Sequence, residues 1–185
     1  LPLLQQQALT IKNNFNSKKP FRYVAINNFL FDHAADEVLE AYPPVTRGVW
    51  DGTTYVQQKN KFVQTKFEEG SVMYNVFNEL NSVAFLEWLE QVTGITQLVP
   101  DEKLFGAGLH QSVNGAFLNV HVDFNKHPQT GLFRRLNVLI YLNKNWKPEY
   151  HGELELWDMT GKDAVLLETI QPEFNRCVIF ETNER

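Results

Sequence analysis

The sequence predicts a mainly β, α+β fold: a sandwich or jelly roll whose helices come first in the chain. Three observations carry this. From Leu104 onward, short segments rich in β-forming residues recur at regular spacing. Turn signals separate them at Asn114-Gly115, Gly131, His151-Gly152, Gly161 and Pro172. Before Leu104 the longer apolar patterns have helical period, so those helices can cover one sheet. With 185 residues the chain reads as a single domain, 1–185, large enough to bury a real core.

Residues 1–16 place Leu3, Leu4, Ala8, Leu9, Ile11 and Phe15 among polar residues, an amphipathic helix that must end before Pro20. Phe21 to Ile26 is a strand. Asp32 is placed to cap a helix through Leu39 to Ala41, stopped by Pro43-Pro44. Val45 to Asn60 reads as loop and short strand, with Trp50 and Tyr55 as core or wall, and Lys61 to Phe67 alternates as a strand. Val72 to Val92 keeps helical spacing at Val76, Leu80, Val83, Leu86 and Leu89, with Ser82 as an internal cap and Gly94 just past the end. The strands that follow are Leu104–His110, Ala116–His121, Leu136–Leu142, Glu153–Trp157, Ala164–Ile170 and Arg176–Glu181. There is no internal repeat or low-complexity linker.

Composition narrows the function. A net charge of −5 without a basic run argues against nucleic-acid binding. Cys177 is the single cysteine, so no disulfide forms within the chain and a reducing, cytoplasmic location is expected. No apolar run approaches membrane-span length, and no secretory signal is visible.

The stretch Gly115 to Asn143 organises the rest. It holds His121-Val122-Asp123. On a strand, residues i and i+2 share a face, so an imidazole nitrogen and a carboxylate oxygen would meet at one point. With one more imidazole from elsewhere, such a pair makes the facial triad that holds non-haem Fe(II) and leaves three positions open. Alone the motif is weak, since a chance His-x-Asp is expected in roughly one such chain in five. A surface turn after a strand is the bland alternative. Context adds weight: a strand runs into the pair, a polar loop from Asn125 to Gly131 follows, and then comes the apolar run Leu136 to Leu142.

Several motifs then stand in order. They are Leu118-Asn119-Val120-His121-Val122-Asp123-Phe124, Arg134-Arg135-Leu136-Asn137-Val138-Leu139-Ile140-Tyr141-Leu142-Asn143, Trp146, Gly152 to Trp157, and Pro172 to Phe180. In this set the chain resembles the Fe(II)/2-oxoglutarate-dependent oxygenases of the prolyl 4-hydroxylase-like family. The resemblance runs from about Phe21 to the end and is strongest from Gly106. It implies a double-stranded β-helix, a jelly roll with the metal between its sheets. It implies a dioxygenase that hydroxylates an unactivated C–H, of a prolyl or other amino-acid residue among the candidates, releasing succinate and CO2. The implied cofactors are Fe(II), 2-oxoglutarate and O2, with ascorbate as a compatible auxiliary. His121 and Asp123 match the first two iron ligands. Tyr141 matches the position that binds the far carboxylate of 2-oxoglutarate. Asn137 shares its face, Gln111 matches a polar position near the cosubstrate, and Leu154 with Leu156 would wall the site. Asn175 and Arg176 secure the turn into the last strand. The family's distal His ligand, and the basic residue after it, are expected beyond Arg185. Asp123 argues against halogenation, because the family's halogenases lose this carboxylate.

The other histidines are weaker candidates. His151 and His33 read as surface, His127 as a residue of the entrance loop, and His110 as a neighbour of the site. A non-catalytic jelly-roll ligand-binding module is the rival function, and a structural subunit a third. The partner expected is a peptide or small-molecule substrate, with no nucleic acid or membrane; its identity and the oligomeric state are not encoded in any motif.

Overall fold

The structure is a computed structural model that describes residues 2–46, 48, 50–55 and 58–182. Four α-helices and eight strands occur among these residues, in near-equal measure, so the fold is mixed α/β rather than mainly β. Helix α1 spans Pro2–Ser17, β1 Tyr23–Ile26 and α2 Asp32–Glu40. Strands β2 (Asp51–Tyr55) and β3 (Gln58–Gln64) precede α3 (Val72–Leu80) and α4 (Val83–Thr93). Then follow β4 (Leu109–Leu118), β5 (Leu136–Tyr141), β6 (Leu154–Asp158), β7 (Val165–Ile170) and β8 (Arg176–Glu181).

All strand pairs are antiparallel. They form a sheet of order β1-β8-β5, a sheet of order β2-β3-β4, and the hairpin β6-β7. Alternation along β8 explains how its sheet is buried on both faces. Cys177 and Ile179 join Val24, Ile26, Val138 and Ile140 under α1 and α4. Val178 and Phe180 turn the other way, with Tyr23 and Tyr141, onto Leu154, Leu156 and Ile170 of the hairpin. Helix α1 supplies Leu4, Ala8, Ile11 and Phe15, one stripe at helical spacing. Helix α4 supplies Phe85, Leu89, Val92 and the fully buried Trp88, whose indole N–H donates to the Leu4 carbonyl at 3.3 Å. A separate cluster seats Leu109 of β4 on Val38 of α2 and Met73 of α3.

Several elements differ from expectation. The helical run 72–92 is two helices: Ser82 caps α4 by accepting from the Phe85 N–H at 3.2 Å, which ends α3 just before it. Gly94 closes α4 in the left-handed region, as its position predicts. Asp32 is the first residue of α2, whose cap position holds Phe31 without a side-chain bond. No strand covers Leu104 to Gly108. The two strands expected around Asn114-Gly115 are one strand, β4, because that dipeptide makes a bulge instead of a turn. Between the pairs Lys59↔Phe117 and Lys61↔Ser112, β4 carries the extra residues, and the Asn60 amide donates to the Asn114 carbonyl at 3.2 Å across the gap. Tyr55's side chain lies outside what is described.

Asn175 pins the centre. It is buried, its amide group donates to the Leu30 carbonyl and accepts from the Leu30 N–H, each at 2.8 Å, and its own N–H donates to the Tyr141 carbonyl. Arg176 beside it holds the Gln171 carbonyl and Asn27. Truncating the largest fully buried side chain tests the main core: Trp88→Ala is expected to cost about 3–5 kcal/mol, read as a lower midpoint in urea unfolding.

Candidate functional site

His121 and Asp123 follow the last ladder residue of β4, Leu118, outside any strand. Val120 and Val122 are exposed, while His121 Nε2 and Asp123 Oδ1 stand 3.5 Å apart. The pair is open on one side, with 38% of the His121 side chain and 29% of the Asp123 side chain accessible.

Each group is oriented by its other end. His121 Nδ1 lies 2.8 Å from the Asn119 carbonyl, which can only accept, so Nδ1 is the donor there and the neutral ring presents a lone pair at Nε2. The Asp123 carboxylate is held at Oδ2, which accepts from Asn137 Nδ2 at 2.6 Å and lies 3.8 Å from Arg134. The Asn137 amide has no freedom to flip: the guanidinium of Arg134 donates to its Oδ1, so its NH2 must face the carboxylate. Oδ1 is therefore the oxygen left to face His121. Two lone pairs at this separation repel unless a cation lies between them. Nitrogen and oxygen donors so placed suit a borderline divalent metal such as Fe(II). Among the described residues no group of three His, Cys, Asp or Glu side chains could hold a metal.

Arg134 was not singled out by the sequence. Burial lowers its pKa, offset by Asp123 and Asp101, and its guanidinium lies over the Phe124 ring at 4.8 Å. Phe124 in turn meets Phe105 edge-on at 5.0 Å. The loop between them closes on itself: Arg134 N–H donates to Asn125, His127 N–H to Leu132, and His127 Nδ1 accepts from Gln129 and Thr130 N–H groups at 3.2 Å. His127 thus builds the loop. Gly106 has φ +76°, and a Cβ there would lie 2.6 Å from the Phe124 ring, so only glycine fits beneath it.

The other expected residues separate. Asn137 and Tyr141 share a face of β5, Asn137 on Asp123 and Tyr141 in the cluster with Leu154, Leu156 and Val178. Burial, with Cys177 nearby, pushes the Tyr141 phenol up to about 12. Gln111 is placed elsewhere. It shares its face with Leu109, which packs on the helices, so it points away from His110 and Ser112. The expected position near the cosubstrate followed from counting back from His121, and the bulge at Asn114-Gly115 decouples that count from the face of β4. His110 faces the site side. Crowding, then Lys61 and Arg134, lower its imidazole to about 4, although the residue's rim is exposed. The two cations reinforce the crowding and leave this ring neutral at pH 7. His151 and His33 are exposed, as expected. Two cavities, of about 380 and 500 Å³, lie against β1 and do not include the pair. No helix among the described residues is long and apolar enough to cross a membrane.

Residues 107–185, which contain the pair and its Asn137 and Arg134 supports, match the family model of the 2OG-Fe(II) oxygenase superfamily. The chain is also similar to a prolyl hydroxylase from Trichoplax adhaerens, solved in complex with a hypoxia inducible factor oxygen degradation domain peptide fragment. That likeness has TM-score 0.63 at 19% identity and covers 99% of this chain and 83% of the other. No curated protein matches the sequence. The matched segment belongs to a superfamily whose chemistry uses Fe(II), 2-oxoglutarate and O2, and the structural likeness shows a shared fold.

Gly106→Ala is expected to displace Phe124 from Arg134 and to destabilise the protein by about 1–3 kcal/mol, measured by chemical unfolding.

Proposed function

We propose that this chain hydroxylates an unactivated C–H of an amino-acid residue in a peptide, a prolyl residue being the leading candidate. His121 Nε2 and Asp123 Oδ1 are the metal donors in this reading, and the third is the distal His that the resemblance expects beyond Arg185. The observation that carries it is the 3.5 Å approach of two lone-pair donors, each fixed from behind by its own hydrogen bond. The antiparallel strands β4 to β8 are read as part of a double-stranded β-helix within one oxygenase domain. The peptide bound to the Trichoplax prolyl hydroxylase belongs to that protein; the shared fold is what favours a peptide over a small molecule here.

Each residue then has a stated task. When bound, Fe(II) with 2-oxoglutarate would activate O2, one oxygen atom going into the C–OH and the other into succinate as CO2 is released. Asn137 and Arg134 hold Asp123 Oδ2, which keeps Oδ1 available and prevents the carboxylate from rotating. The Asn119 carbonyl keeps the proton on His121 Nδ1, so Nε2 remains a donor of electrons. Tyr141, un-ionised with its pKa near 12, can donate a hydrogen bond to the far carboxylate of the cosubstrate. Leu154 and Leu156 pack beside it and exclude water. Cytoplasmic residence fits the lone buried Cys177.

Anaerobic visible absorption on a chain extended past Arg185 tests the reading. Adding Fe(II) and then 2-oxoglutarate should give a weak charge-transfer band. His121→Ala should abolish it, and Asn137→Ala should raise the metal concentration needed for it about 10–100-fold. A folded wild-type protein with no band at saturating reagents would favour the ligand-binding module instead.

A further inference from the structure

The wall built by β3 and β4 carries a charge that the roles above leave unused. Lys61 and Val63 of β3 pair with Ser112 and His110 of β4, and paired residues of an antiparallel ladder share a face. This face is the one turned to the site, since Leu109 and Gln111 take the helix side. Lys61 is within electrostatic reach of Asp123, and His110 of both Lys61 and Arg134.

The two cations are not equivalent. Arg134 is tied to Asn137, lies 3.8 Å from Asp123, and also interacts with Asp101. Lys61 is half-buried, and no described carboxylate comes within ion-pair distance of it; its one favourable charge is the more distant Asp123. An ammonium that has lost part of its hydration and gained no anion is unfavourable. A divalent metal on Asp123 Oδ1 deepens the imbalance, because it neutralises the carboxylate nearest to Lys61. An incoming anion would restore the balance. The neighbours suit it: the neutral His110 imidazole and the Ser112 hydroxyl each offer a donor beside the ammonium.

We propose that Lys61, His110 and Ser112 form a carboxylate subsite beside the His121–Asp123 pair, which receives an acidic group of the molecule to be oxidised. The identity of that molecule as a substrate rests on the oxygenase reading; the subsite itself does not. The far carboxylate of 2-oxoglutarate has the same chemistry, but its proposed partner Tyr141 lies on β5, in the cluster with the β6 leucines. The β3–β4 wall is thereby left for the substrate, whose target C–H would lie near an Asp or Glu side chain or a free carboxylate.

The test begins on the metal-free full chain, with glutarate as the probe and backbone NMR shifts of β3 and β4 as the readout. Saturable shifts at Lys61, His110 and Ser112 are expected, at least tenfold weaker in Lys61→Met and within about threefold of wild type in Lys61→Arg. The neutral analogue glutaramide should give none. Equal shifts in Lys61→Met, or with glutaramide, would overturn the subsite. Thermal melts and the arginine rescue separate loss of charge from loss of fold. A second arm assigns the anion: the 2-oxoglutarate concentration for half-maximal charge-transfer absorption should be unchanged in Lys61→Met. A tenfold increase would give the subsite to the cosubstrate and sink the assignment to substrate. A wild-type protein extended past Arg185 with no band would defeat the oxygenase reading while leaving the glutarate result intact.

Discussion

One hydrogen bond joins the two sheets where the chemistry is expected: Asn137 Nδ2 to Asp123 Oδ2, at 2.6 Å. Asp123 follows β4, while Asn137 belongs to β5 in the sheet with β8. Without this contact the segment after Leu118, which has left its ladder, would have little to fix its carboxylate. Arg134 makes the bond specific by occupying the other end of the amide. The ring of Phe124 and the absence of a side chain at Gly106 then decide where Arg134 can lie. Thus a glycine on the approach to β4 is linked to the aim of one oxygen atom through three packed groups. A charge-assisted bond of this kind is about twice as strong as a neutral one, which suits a group that must not turn.

The rest of the fold supplies a rigid frame for that contact. Strand β8 is sealed on both faces, by helices on one side and the β6–β7 hairpin on the other, and Asn175 ties its entry to the Leu30 backbone and to Tyr141. Register along β5 is consequently fixed, and with it the common face of Asn137 and Tyr141.

Part of this was legible in the sequence because it depends on near neighbours. The Ser82 cap, the Gly94 terminus and the alternation along β5 are all local signals, and the structure places them as their local patterns require. Arg134, Phe124, Gly106 and Lys61 gained their meaning only through tertiary contact. A positive charge in a loop, or a glycine among other glycines, carries no spacing that reveals its partner. Asn114-Gly115 was read as a turn because both residues tolerate positive φ, and a bulge exploits the same tolerance. That single difference merged two expected strands and shifted the face on which Gln111 lies. The balance of helix and strand was likewise hidden, since the helical run from Val72 gives no count of helices until its internal cap is known to break it.

Cys177 has a bearing on durability. It sits fully buried on β8, directly across the ladder from Ile140 and close to Tyr141, and burial pushes its thiol well above the ordinary cysteine range. Oxidants attack the thiolate, so a thiol kept protonated and out of contact with solvent is a poor target. In the proposed oxygenase reading, activation of O2 would generate stray peroxide whenever turnover is uncoupled from substrate. Placing its one cysteine behind a tyrosine, inside the sheet, lets the protein keep a compact core residue without carrying a self-inactivation fuse.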